Sequence, residues 1–385
     1  MLNAIKEKIS LPEFILLLMY AVFLIVTVLQ ATQFVAGGEM QTEIKYIRYL
    51  ILAGLIVSFL CSHELSMRKI LFAAAILIMS VLTGRGNQDF TSSMLLGMFI
   101  VCGINMHTKY FLKVYCVTVT AVCLITVLLV TSNVYTNDFL TETARSIRYY
   151  LGFDYTTTLP NYFLHVVIAW FAADEGRINI LKTIIILIIN QILMYYTGTR
   201  AVYYLVILFL ILVWLLNTDL QLLKTKTVRI LSVLLMPFLC VFIFSATINY
   251  SEKSTTLVKI NDALSGRLEF SQNAVEKYGF EPFGEVVEFN TGRDDIDRVG
   301  DYLFVDSSYI YDAMVYGIIP TVLVVLAFSA MIYKSHKDKQ YFLWLALIFI
   351  AIHAFTDFQL MRLDYNPFML LIYGMLFRKD KQQIE

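Results

Sequence analysis

The stretch NILKTIIILIINQILMYYTGTR, residues 179–200, sets the fold class. Its apolar part is long enough to cross a hydrocarbon layer as a helix, which takes about 20 residues. Lys182 stands near one end and Arg200 just past the other. Lysine marks the cytoplasmic side under the positive-inside rule, so Arg200 belongs at the opposite surface. The layout recurs along the chain. Its 385 residues are 58% hydrophobic and only 16% charged, with a mean hydropathy of +0.69. That leaves too little polar surface to cover a soluble core. Apolar runs near 14–36, 46–62, 69–83, 93–106, 113–134, 160–174, 179–197, 201–217, 229–249, 307–333, 341–356 and 365–377 predict an all-α integral membrane protein with about twelve transmembrane helices. The second to fourth runs are short, as tilted or partly re-entrant segments are. The first follows Lys6 and Lys8 without a small-residue cleavage site, so it reads as an anchored span.

With the N-terminus inside, 17 of the 30 basic residues fall in inward turns, and 13 of those 17 are lysine. Both termini are therefore expected in the cytoplasm, with the chain multi-pass in the cytoplasmic membrane. The outward side holds the other 13 basic residues, nine of them arginine. Orientation explains lysine inside; it does not explain arginine outside. Arginine's rigid fork grips phosphate bidentately. Isolated outward arginines thus point to an anionic, lipid-borne substrate at the outer surface.

The chain divides into spans one to nine (1–249), a large extracytoplasmic loop (250–306), and spans ten to twelve with a cytoplasmic tail (307–385). A loop this long between spans is usually functional. Within it, 264–278 predicts an amphipathic helix that Ser265 or Asn261 can cap. Net charge is zero, so bulk charge points to no nucleic-acid partner. No Walker motif, dinucleotide fingerprint or zinc spacing occurs, and no cofactor or metal is expected. Cys61, Cys102, Cys116, Cys123 and Cys240 fall in or beside apolar runs and read as packing residues. The acidic run Asp294, Asp295, Asp297 and Asp301 reads as solvated loop, with a divalent-cation site as the alternative.

Candidate site residues cluster on the outward side. In Thr197-Gly198-Thr199-Arg200 the arginine either snorkels to head groups or clamps a lipid phosphate. Arg85 lies between Gly84 and Gly86, a setting that suits anion capture by backbone amides. Arg145 and Arg148 are three apart, on one face if helical. Arg267 opens the amphipathic stretch, where a helix N-terminus adds to an anion site; the alternative is pairing with Glu269 or Asp262. Asp306 precedes span ten, as a helix cap or as a carboxylate that takes a proton from a sugar hydroxyl. Tyr309 follows as an interface aromatic or a stacking surface for sugar. His353 and Asp357 share a helix face, as a structural or a functional pair.

Taken in order, these stretches resemble the Wzy-type polysaccharide polymerases and the related O-antigen ligases. The likeness runs through Arg148 to Pro160-Asn161, Thr197 to Arg200, Ser265-Gly266-Arg267-Leu268 to Pro282-Phe283-Gly284, and Asp306-Ser307-Ser308-Tyr309 to Tyr316-Gly317. The resemblance implies a GT-C-like polytopic glycosyltransferase. It implies transfer of a growing glycan from undecaprenyl pyrophosphate to the next lipid-linked oligosaccharide, with a flippase and a chain-length regulator as partners. Arg200 and Arg267 would then hold the donor pyrophosphate, Arg85 and Arg148 would add positive field, and Asp306 would serve the acceptor. Ligases usually carry histidine and asparagine where this chain has Asp306 and Ser307, so this sequence departs from them at the base. A ligase and, from another class, a lipid-linked oligosaccharide flippase are the alternatives.

Overall fold

The computed structural model describes residues 9–35, 40–62, 66–103, 107–140, 147–218, 221–290 and 303–377. Arg145, the acidic run of 294–301 and the tail after 377 lie outside the described residues. The fold is helical: α1 Leu11–Gln30, α2 Gln41–Leu60, α3 Met67–Gly86, α4 Phe90–Cys102, α5 Thr108–Thr131, α6 Thr158–Ala173, α7 Ile180–Thr197, α8 Arg200–Asn217, α9 Lys226–Ile248, α10 Thr255–Ala263, α11 Arg267–Tyr278, α12 Ser308–Val315, α13 Ile318–Lys337, α14 Tyr341–His353 and α15 Ile372–Phe377. Between α5 and α6 a two-residue ribbon pairs β1 Phe139–Leu140 with β2 Arg148–Tyr149, antiparallel.

Seven of these helices (α1, α3, α5, α7, α8, α9 and α13) are long and apolar enough to cross a membrane. They also leave large apolar side chains uncovered, such as Ile184, Ile188 and Ile192 on α7 and Leu231, Leu234 and Phe238 on α9. In water that surface would drive aggregation; in lipid it is solvated. The protein is a polytopic helical membrane protein. The helices α4, α6 and α14 are shorter, 13 to 16 residues. At 1.5 Å per residue they are about 20–24 Å long, less than a bilayer's core. The most buried of them, α6 and α14, carry fully covered side chains such as Tyr162 and Phe349 and form the middle of the bundle.

Two apolar runs fold otherwise than as single helices. Run 307–333 is two helices, α12 and α13, broken at Gly317, whose φ is 102°. The turn Pro282-Phe283-Gly284 fills the break. Ile318 and Ile319 N–H donate to the carbonyls of Glu281 and Pro282, each at 3.1 Å, and Glu285 N–H donates to Met314 O at 3.1 Å. Gly86 closes the contact from α3: a Cβ there would strike the carbonyl of Gly284. Run 365–377 begins as a 3-10 turn at Pro367, capped by Asn366, before the short α15.

Between α14 and that turn, residues 354–366 are non-helical yet mostly buried. Irregular backbone is tolerated at membrane depth only when protein satisfies it. Tyr20 Oη donates to Leu363 O (2.8 Å), Tyr115 Oη to Tyr365 O (3.0 Å) and Asn366 Nδ2 to Leu360 O (2.7 Å). Ser308 Oγ accepts from the amides of Gln359 (2.7 Å) and Leu360 (3.0 Å). The loop is thereby a fixed platform at the end of the bundle that carries α10, α11 and the β-ribbon.

Candidate functional site

Arg267 is the first residue of α11. Gly266 before it is left-handed, φ 86°. Asn261, near the end of α10, accepts from the amides of Leu268 (3.0 Å) and Glu269 (3.3 Å). One buried side chain thus caps α11 and orients its start. From there the Arg267 Nε lies 3.1 Å from Oδ2 of Asp306, with the two side chains 30% and 25% exposed. Asp306 is therefore the partner of Arg267. The residue flanking α12 is Ser307, and no side chain caps that helix.

Behind this pair lies Asp357. Its Oδ2 accepts from Asn161 Nδ2 (2.8 Å) and its Oδ1 from Gln359 Nε2 (3.0 Å). His353 Nε2 stands 3.9 Å from Oδ2, and His353 Nδ1 is 3.0 Å from His165 Nε2. Beside these, Arg362 forks onto Asp364, with Nη2 2.9 Å from Oδ2. Its guanidinium lies over the rings of Phe358 (5.3 Å) and Tyr365 (4.8 Å). Tyr162 Oη donates to the same Asp364 Oδ2 at 2.8 Å.

Arg148, on β2, donates from Nε to the Thr197 carbonyl at 2.7 Å. That carbonyl is free for a side chain because α7 ends in left-handed Gly198, φ 67°. A Cβ at 198 would sit 3.0 Å from Arg148 Nε, so glycine also keeps the arginine's seat open. Tyr155 lies within electrostatic reach of Arg148, Asp306 and Arg267 alike.

Electrostatics follow from this geometry. Burial pushes the Asp306 carboxyl above the usual carboxylate range; Arg267 pulls it back and the charge of Asp357 adds to the rise. Burial pushes Asp357 up to about 6, against the pull of Arg267, the Asn161 hydrogen bond and Arg362. Three guanidinium groups and three carboxylates, Asp306, Asp357 and Asp364, thus share one end of the bundle. The arrangement suits a polyanion held beside a group that can take a proton.

Of the residues singled out from sequence, Arg148, Arg267, Asp306, His353 and Asp357 come together here. Arg200, first in α8, and Arg85, in the last turn of α3, are exposed at the same end and make no ion pair among the described residues. The glycines flanking Arg85 are used for packing, Gly84 against Phe90 and Gly86 against Gly284. Tyr309 is fully buried and its Oη donates to Ala351 O at 2.8 Å, which packs α12 onto α14 rather than presenting a ring at the surface. Sequence reasoning missed Arg362 and Asp364. The signal was present: 356–364 places Asp357, Arg362 and Asp364 between two apolar runs. Compared with protein-family models, with curated proteins and with solved structures, the chain matches none.

Proposed function

We propose that this chain is a membrane glycosyltransferase of the polysaccharide-polymerase type. On this reading it elongates undecaprenyl-pyrophosphate-linked repeat units at the outer face of the cytoplasmic membrane. The observation that carries it is the convergence of Arg148, Arg267 and Arg362 with Asp306 and Asp357 at one end of an apolar bundle. Lysines and arginines at the opposite helix ends, such as Lys182 on α7, Arg229 on α9 and Lys334 on α13, support a cytoplasmic location for that other end. On this reading α12 with α13 count as one crossing and the 3-10 turn with α15 as another, for twelve crossings with both termini inside.

The chemistry asks little of the protein. Pyrophosphate is already a good leaving group, so positioned cations that stabilise its growing charge supply most of the catalysis. Arg267 and Arg148 hold the pyrophosphate in this scheme, Arg362 adds field from its stacked position, and a carboxylate receives the acceptor proton. The non-helical platform fixes these groups before substrate arrives.

The test separates Arg148 from Arg200. Glycan length is measured in cells carrying Arg148→Ala or Arg200→Ala, each checked for normal membrane abundance. Arg148→Ala is expected to leave mostly single lipid-linked units, while Arg200→Ala keeps long chains. Long lipid-linked chains that never reach a final acceptor point instead to a ligase. Loss of lipid-linked units from the outer leaflet points to a flippase.

A further inference from the structure

We propose that Asp357, rather than Asp306, accepts the proton of the attacking hydroxyl, held for that task by Asn161 and Gln359. This rests on the glycosyl-transfer reading above. Asp306 presents Oδ2 to Arg267 Nε at 3.1 Å, so its charge is engaged in aiming that guanidinium. Asp357 differs. Each of its oxygens accepts from a neutral amide, Asn161 on Oδ2 and Gln359 on Oδ1. Amides orient a carboxylate without neutralising it. Its side chain is 13% exposed, lying deeper than Arg267, Asp306 and Arg362, the last 27% exposed. Asn161 keeps its buried Oδ1 without a partner among the described residues, an acceptor for a substrate hydroxyl next to the base.

The groups facing Asp357 come from every neighbouring element. They are Asn161 from α6, His353 from α14, Arg267 from α11, Asp306 before α12, and Gln359 and Arg362 from its own loop. His353 stands too far for a hydrogen bond, at 3.9 Å, while its other nitrogen is tied to His165. In the step, the acceptor oxygen bonds to the donor's anomeric carbon and the bond from that carbon to the pyrophosphate oxygen breaks. The electron pair leaves with the pyrophosphate between the arginines, and the hydroxyl proton passes to Asp357. Burial places the carboxyl's charge change near 6, close to a working pH, where a general base is most effective. Because the reactive form is the carboxylate, transfer is lost as pH falls below about 6.

The test uses right-side-out membrane vesicles carrying the full chain, with the lipid-linked repeat unit extracted from the host as probe. Elongation rate is followed against outer pH. Asp357→Asn is expected to lower the rate by roughly 10²–10⁴-fold with little change in KM, and Asp306→Asn chiefly to raise KM. Asp357→Glu, which guards against a folding defect, is expected to keep activity with its acid limb displaced. A rate for Asp357→Asn within a few-fold of wild type, or an Asp357→Glu acid limb that stays in place, overturns the assignment while leaving glycosyl transfer intact. A wild-type chain that elongates nothing overturns both.

Discussion

Replacing Arg267 by alanine is expected to lower glycan elongation by about 10²–10³-fold, or about 2.7–4 kcal/mol of transition-state stabilisation. Single repeat units should then accumulate on lipid. The size follows from position. Arg267 is fixed at the start of α11 by the Asn261 cap, and its Nε is held 3.1 Å from Asp306. It therefore meets the leaving pyrophosphate already oriented, with little reorganisation at the moment of transfer. Lysine at 267 should restore only part of the rate, because a single ammonium cannot hold Asp306 and pyrophosphate through one fork. Folding should change little, since both partners are partly solvated and exposed pairs contribute about 0–1 kcal/mol. Rates and thermal midpoints measured on the same detergent-purified variant check both statements. Near-wild-type elongation by Arg267→Ala would remove this residue from the mechanism.

The second large effect is structural. Gly317→Val is expected to destabilise the chain by about 3 kcal/mol or more, through combined backbone strain and overpacking. At φ 102° and ψ 158° the residue sits where only glycine is at ease. A Cβ would also lie 2.5 Å from Gly284 N, Phe283 Cα and Pro282 O, all backbone or close to it, so nothing can swing aside. Gly279→Val is the matched control. Its φ of 81° and ψ of −151° carry similar strain, but nothing lies within 4 Å of a Cβ there. The difference in thermal midpoint between the two variants isolates the wedge of 282–284 in the α12–α13 break. Equal midpoints would show that the wedge contributes nothing to stability.

Helix positions were legible because uninterrupted apolar length is itself the signal. The runs behind α5, α7, α8 and α9 fall within a few residues of their helices. The break at Gly317 was hidden, since the residues around it are as apolar as any span and the cause, the turn at 282–284, is remote in sequence. Residues 357–364 were read as lying between spans, but the burial of 354–366 was hidden, because the hydroxyls that satisfy their backbone belong to Tyr20, Tyr115 and Ser308. The cap of α11 was read as Ser265 or Asn261; Asn261 takes it from seven and eight residues away, which only the packing of α10 on α11 decides. The different seats of Arg148 and Arg200 were not legible. Both stand near the end of a span; the left-handed turn at Gly198 offers the Thr197 carbonyl to Arg148, while Arg200 is exposed. Arg362 and Asp364 were overlooked because two residues between apolar runs look like a membrane-surface turn until Tyr162 is found bonded to Asp364 and Arg362 paired with it.

The most direct measurement reconstitutes the purified full-length chain in liposomes containing only lipid-linked repeat units and resolves the glycans by length. The expected result is a ladder of longer lipid-linked glycans that the Arg267→Ala variant does not make. Units that stay single with the wild-type chain, or that move across the bilayer without growing, would contradict it.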